Sequence, residues 1–348
     1  MGFWRVKGLR LSFIVVLLTS LLTACWPLDA LLPVRQPVVT PLRQGSFAPT
    51  ALPVLAAGET HQRVLWLLDH SSRYVVPFVL NVPRVEGMAR AAVMRLIDSP
   101  INQQAIHGTG LRLPLPSETS IRGLTIRDGV ARIDFSEAFL GYTEAMEKLV
   151  VDAVVLTLTE FPNIESVQFM VHGEQVPVLP GGTETARPIR RTDRAINREP
   201  EGPVGGSTAQ VLLYFTSASP ENYIYFVPVT RTITQQVNLL EAVVNELIAG
   251  PPKGSGLWHD LPSAARVRGV RLNSLGIAEV DFTREIYAHW ASATAETAIL
   301  GAVLHTLSEL PGVQGVRFTV EGRAPNFPGG SDASQPIAKP VFVNPFAL

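Results

Sequence analysis

Cysteine is nearly missing: Cys25 is the only one in 348 residues. A lone thiol closes no internal disulfide and builds no cysteine zinc cage, which leaves a free thiol, an intermolecular bridge or covalent modification. Charge is sparse too, 17% against 46% hydrophobic residues, so the chain is no disordered polyelectrolyte and has enough apolar material to bury cores. Nor is there surplus positive charge. Without Arg5, Lys7 and Arg10, which lie in a removable leader, 26 basic side chains face 30 acidic ones, a formal −4. Nothing there recommends nucleic acid as a partner, and none is expected, because its binding draws on a clustered basic face. The seven histidines, at 61, 70, 107, 172, 259, 289 and 305, include no pair at helical i, i+4 zinc spacing and no His-Glu-x-x-His. No Gly-x-Ser-x-Gly elbow occurs, and Gly254-Ser255-Gly256 reads as a flexible turn. With no metal, cofactor or nucleophile signature, the expectation is a protein that is not an enzyme. A chain of this length suits two domains, hence two cores.

Long apolar runs are also scarce, and the one present is terminal. MGFWRVKGLR is basic, Leu11 to Leu22 is almost wholly apolar, and Thr23, Ala24 and Cys25 follow. This is the layout of a secretory signal, and its apolar run is short for a helix that must cross a bilayer with about 20 residues. Leu22-Thr23-Ala24-Cys25 resembles the bacterial lipobox, which implies lipidation at Cys25 and anchoring to the extracytoplasmic face of the cell membrane. At about 0.8 kcal/mol per buried CH₂, two or three acyl chains hold durably where one does not. From 25 to 60 prolines recur at 27, 33, 37, 41, 49 and 53, favouring a semi-stiff polyproline tether.

The remainder repeats with an offset of about 148 residues. Val64–Leu68 matches Val211–Phe215, and Val130–Phe135 matches Ile277–Phe282. Thr157–Gly173 matches Thr306–Gly322 at 8 of 17 positions, and Pro180-Gly181-Gly182 matches Pro328-Gly329-Gly330. The chain thus divides into a signal (1–24), a tether (25–60), a first copy (61–182), a linker (183–208), a second copy (209–330) and a C-terminal tail (331–348). Many charges, prolines and glycines with few large apolar side chains predict an exposed, solvated linker.

Each copy opens with two apolar strands, then a helix (89–97; 238–249) stopped by Asp98-Ser99-Pro100 or Gly250-Pro251-Pro252. Two more strands follow, joined in the first copy by Asp128-Gly129, a hairpin pair tolerant of positive φ. A longer helix (about 143–160; about 292–309) carries one apolar stripe for a sheet face, and a strand of Val-x-Phe-x-Val closes the unit. The fold class is α+β: two tandem copies of a small domain in which two helices cover a three- to four-stranded sheet.

At these residues the chain resembles the GerMN domain of bacterial sporulation and spore-germination proteins, in its tandem lipoprotein form. The carriers are Val211–Phe215, Leu247-Ile248-Ala249-Gly250-Pro251, Leu261-Pro262-Ser263, Asp281-Phe282 and Thr306–Val313, with their first-copy counterparts. The resemblance implies a fold similar to ring-building motifs, and a membrane-attached role in spore formation or germination with other envelope or sporulation proteins as partners. The first copy departs from the pattern at Asp98-Ser99-Pro100.

Among single residues, Asp134 and Asp281 end equivalent strands just before a helix and are expected to cap its free N–H groups. His172 stands opposite Glu321, which predicts an exposed position. Arginines at 187, 190, 191, 194 and 198 interleave with acids and read as a solvated run. The leading expectation is a protein-interaction scaffold. The alternative is a lipoprotein that binds cell-wall glycan, with or without hydrolase activity, through Trp258, Trp290, Tyr287 and Tyr223, whose rings are otherwise core residues.

Overall fold

The computed structural model describes residues 60–345, apart from 86, 201, 203–205, 290, 291, 328, 329, 331, 333 and 334. The signal, Cys25 and the tether up to residue 59 lie outside the described residues.

The first copy starts with an antiparallel hairpin, β1 (Thr60–Leu68) and β2 (Val75–Pro83), in register from Thr60 opposite Pro83 to Leu68 opposite Val75. Two short helices follow, α1 (Met88–Met94) and α2 (Pro100–Ala105). Then come β3 (Ile121–Arg127), β4 (Val130–Phe135), helix α3 (Glu147–Leu158), β5 (Ser166–Val171) and the two-residue β6 (Ile189–Arg190). They form a sheet of order β3-β4-β5-β6, in which β4 and β5 run parallel around the α3 crossover. Asp128 and Gly129 at the β3–β4 turn both have positive φ, 51° and 75°, as the two-residue hairpin requires.

The second copy repeats this plan. Hairpin β7 (Thr208–Ala218) and β8 (Ile224–Thr234) precede α4 (Leu239–Ala249), β9 (Val267–Leu272), β10 (Ile277–Phe282), α5 (Ala293–Ser308), β11 (Gly315–Val320) and β12 (Ile337–Ala338). The sheet order is β12-β11-β10-β9, again with a parallel central pair.

Helices α3 and α5 are buried on nearly every side, not along one stripe. In α3 every residue from Val150 to Leu158 is buried, and in α5 every residue from Ala302 to Ser308. Each is sandwiched between its sheet and its hairpin, so an all-round apolar sequence is required. The Thr-Leu-x-Glu motif binds the two layers together. Thr157 Oγ1 accepts the Trp66 backbone N–H (2.9 Å), and Thr306 Oγ1 accepts that of Tyr214 (3.0 Å). Glu160 then takes the Trp66 indole N–H (3.1 Å), and Glu309 the Tyr214 hydroxyl (2.8 Å). The structure therefore equates Trp66 with Tyr214, one position on from the match of Val64–Leu68 with Val211–Phe215. In a strand a one-residue slip exchanges the faces, and the helix contact fixes which is right.

The expected linker and tail are corrected. Residues 183–208 are not simply solvated: Thr185, Ile189, Ile196 and Asn197 are buried, and β6 edges the first sheet. Residues 335–345 do the same for the second copy through β12 and the buried Asn344. Pro188-Ile189 followed by Asn197 corresponds to Pro336-Ile337 followed by Asn344, so the repeat continues beyond 182 and 330.

These two asparagines join the copies. Asn197 Oδ1 accepts the Val75 N–H (2.8 Å), while its Nδ2 donates to the Val75 and Pro228 carbonyls (2.7 Å each). Asn344 Oδ1 accepts the Phe226 N–H (2.8 Å), and its Nδ2 donates to the carbonyls of Phe226 (2.8 Å) and Pro77 (2.9 Å). Strands β2 and β8 thus lie antiparallel about a pseudo-twofold axis without a ladder of their own. Pro77 and Pro228 have no N–H to give, and each asparagine amide supplies the missing donor and acceptor. The larger buried cluster runs through both copies, with Phe78 edge-on to Tyr223 at 6.1 Å, and a smaller one gathers Trp66, Leu68, Val75, Ala153, Leu156 and Ile196.

Candidate functional site

The strand-ending acids cap turns, not helices. Asp134 Oδ1 accepts the Gly173 N–H (2.9 Å) and Asp281 Oδ1 that of Gly322 (2.8 Å), both in the tight turn after the neighbouring parallel strand. The residues before those glycines, His172 and Glu321, hold φ of 53° and 50°, and both are exposed. Each aspartate also meets an arginine from the adjacent strand: Arg122 at 3.3 Å, Arg268 at 2.8 Å. The expected helix cap is replaced because the parallel neighbour brings a closer set of free N–H groups.

Glu147, which no sequence signal singled out, is only 1% exposed at the start of α3. It accepts the N–H groups of Gly181 (2.5 Å) and Thr183 (2.7 Å) and the Tyr142 hydroxyl (3.2 Å). Burial pushes its pKa up, and the bonds from Thr183, Gly181 and Tyr142 outweigh that, so the carboxyl sits below its ordinary value. This explains the Pro-Gly-Gly motif: Gly181 packs directly on Glu147, where a Cβ would come within 2.9 Å of its carboxylate carbon.

The remaining candidates do not converge. Of the arginine run, Arg191 pairs with Glu160 (2.9 Å) and Arg194 with the buried Asp152, so both hold structure. Tyr223 is a core ring stacked on Tyr225 at 5.9 Å. Trp258 bridges Thr216 through its backbone (2.8 and 2.9 Å), Tyr287 is exposed elsewhere, and Trp290 lies outside the described residues. Among the described residues no group of three His, Cys, Asp or Glu side chains is placed to hold a metal ion. None of the described helices is long and apolar enough to cross a membrane.

One cleft stands out, and it lies where the two copies differ. In the first copy Ser99, in extended conformation, caps α2 by accepting the Asn102 N–H (3.4 Å), with Pro100 at the first helical position. Asn102 then fastens the helix by donating to the carbonyls of Met94 and Ile97, both 2.8 Å. The second copy has turns around Gly250-Pro251-Pro252 instead. The chain after α2 and the start of α3 enclose a cleft of about 590 Å³, within the usual small-molecule range. Its lining includes Leu111, Leu115, Met146, Tyr142 and Arg112, and one wall is Glu221 of the second copy.

A duplicated α+β unit with a helix held between hairpin and sheet, anchored by Thr-Leu-x-Glu, defines the class. The chain belongs to the Germane family, described as sporulation and spore germination, whose model matches residues 64–177 and 212–325. It is 30% identical over 294 residues to the spore germination protein GerM of Bacillus subtilis, covering 83% of this chain and 79% of that protein. It is also similar to the solved tandem GerMN domains of the sporulation protein GerM from Bacillus subtilis. That match has TM-score 0.68 and 28% identity, and covers 82% of this chain and 99% of that one.

Proposed function

We propose that this protein is a lipid-anchored, extracytoplasmic, non-catalytic scaffold that engages other envelope proteins during sporulation or spore germination. The observation that carries the reading is the pair of asparagine clips, which tie the two copies together across one shared junction. The acids of the strand ends and of α3 are occupied by backbone N–H groups and arginines, which suits a structural part more than chemistry. Anchoring rests on the signal and on Cys25. Palmitate labelling tests it: the Cys25→Ser variant should lose label and leave the membrane fraction, and a variant that keeps both ends the anchoring reading. For the scaffold, Leu275→Asp alters an apolar side chain 78% exposed beside the β9 edge. It should lower spore yield or germination with the protein level unchanged; spores indistinguishable from wild type would count against that surface.

A further inference from the structure

The mouth of the first copy's cleft carries polar groups of both signs. Asp98 and Glu221 bring carboxylates, Arg112 and His107 a guanidinium and an imidazole, Gln103 an amide and Tyr142 a phenol. Two acids beside one arginine and one histidine give no strong field of either sign, so a polyanion or polycation gains little there. Arg112 and His107 are exposed, and neither side chain has a hydrogen-bond or ion-pair partner among the described residues. Under these groups Leu111, Leu115 and Met146 form an apolar bed. An extended peptide finds no strand edge to join. Arg112 already exchanges both backbone bonds with Leu68 (2.9 Å each), while Leu115 donates to Leu96 (3.0 Å) and accepts from Asp98 (2.8 Å). A ligand with one apolar C–H face and a rim of hydroxyls meets both parts of this lining without needing charge.

We propose that the cleft of the first copy binds a neutral pyranose oligosaccharide, with one site per chain. The second copy does not share the site, because turns around Gly250-Pro251-Pro252 stand where α2 and its Gln103 line the cleft in the first copy. The proposal does not rest on the anchoring or scaffold reading, and either can fail alone.

The test is titration of the full chain in detergent with the neutral sugar tetra-N-acetylchitotetraose, followed by calorimetry and by the histidine ring signals in NMR. The expected result is saturation at one sugar per chain, with the His107 signal shifting. Arg112→Ala and His107→Ala should each weaken binding about tenfold, as the loss of one hydrogen bond does. Arg132→Ala, on the outer face of the first sheet, should leave it unchanged. Absence of saturation, affinity untouched by Arg112→Ala, or a leucine-rich peptide taking the cleft in place of the sugar would each overturn the proposal.

Discussion

Replacing Asn197 by glycine should cost about 3 kcal/mol, because it strips three buried backbone groups of their partners at once. The Val75 N–H loses an acceptor, and the Val75 and Pro228 carbonyls lose a donor. Val75 is fully buried and Asn197 is 8% exposed, so water has poor access. Each bond is worth about 1 kcal/mol net, and a group left dry costs about 1 to 3. The backbone supplies an internal control. Asn197 has φ of 47°, which asparagine and glycine adopt readily, whereas alanine pays about 1 to 2 kcal/mol more. Asn197→Asp keeps the shape and the acceptor for Val75 but turns an anionic oxygen toward two carbonyls, and should be worse than glycine despite being nearly isosteric. Urea unfolding of the full chain, read by tryptophan fluorescence, should therefore rank wild type above glycine, and glycine above both alanine and aspartate. A glycine variant within about 0.5 kcal/mol of wild type would refute the claim that this amide joins the halves. An aspartate variant as stable as wild type would show that its donors are idle.

Two further outcomes follow from α5. His305 is packed against Tyr214 and Phe226, with centroids at 5.5 and 5.0 Å, and burial lowers its pKa from 6.5 to about 4. The unfolded chain then binds the proton first, so stability holds above pH 6.5 and falls as pH drops toward 4, by about 3 kcal/mol at about 1.36 kcal/mol per unit. His305→Leu should flatten that slope in denaturation midpoints measured between pH 7 and 4.5, and an unchanged slope would assign the effect elsewhere. Gly301 lies mid-helix with the Phe226 ring where a Cβ would stand, 2.4 Å from Cζ. Gly301→Ala gains about 1 kcal/mol of helix propensity yet should still lower the melting temperature, since overpacking costs about 1 to 3. A raised melting temperature would show that the ring yields.

The fold was legible wherever a residue's local chemistry decided the outcome. Asp128-Gly129 made its turn, Gly250 ended α4, and Thr157–Gly173 against Thr306–Gly322 exposed the duplication. Two-sided burial was harder to read. The apolar residues of α5 fit one stripe well enough to mask a second, Leu300, Leu304 and Leu307, which is buried as well. Asn197 and Asn344 were hidden for a different reason. Each stands in a polar stretch rich in proline and charge, where a solvated segment is the ordinary reading, and a side-chain amide completing someone else's strand leaves no periodicity behind. Glu147 carries no sequence signal either, since its partners at 181 and 183 lie 34 and 36 residues further along the chain.

The symmetry of the junction bears on where the copies can differ. Val75 and Pro228 meet Asn197 as Phe226 and Pro77 meet Asn344, the same chemistry twice, as an isologous interface requires. Within one chain each end is encoded by its own residues, so the copies are free to diverge, as Val75 against Phe226 does at the junction itself. The sheets bear this out at one register position. Arg132 on β4 lies between Thr125 and Gln168 and is exposed, while Glu279 on β10 lies between Arg271 and Arg317, the latter at 3.9 Å. The same backbone thus shows a bare guanidinium in one copy and a compensated carboxylate in the other. The duplication therefore gives the chain two distinct surfaces where a simple dimer would present the same one twice.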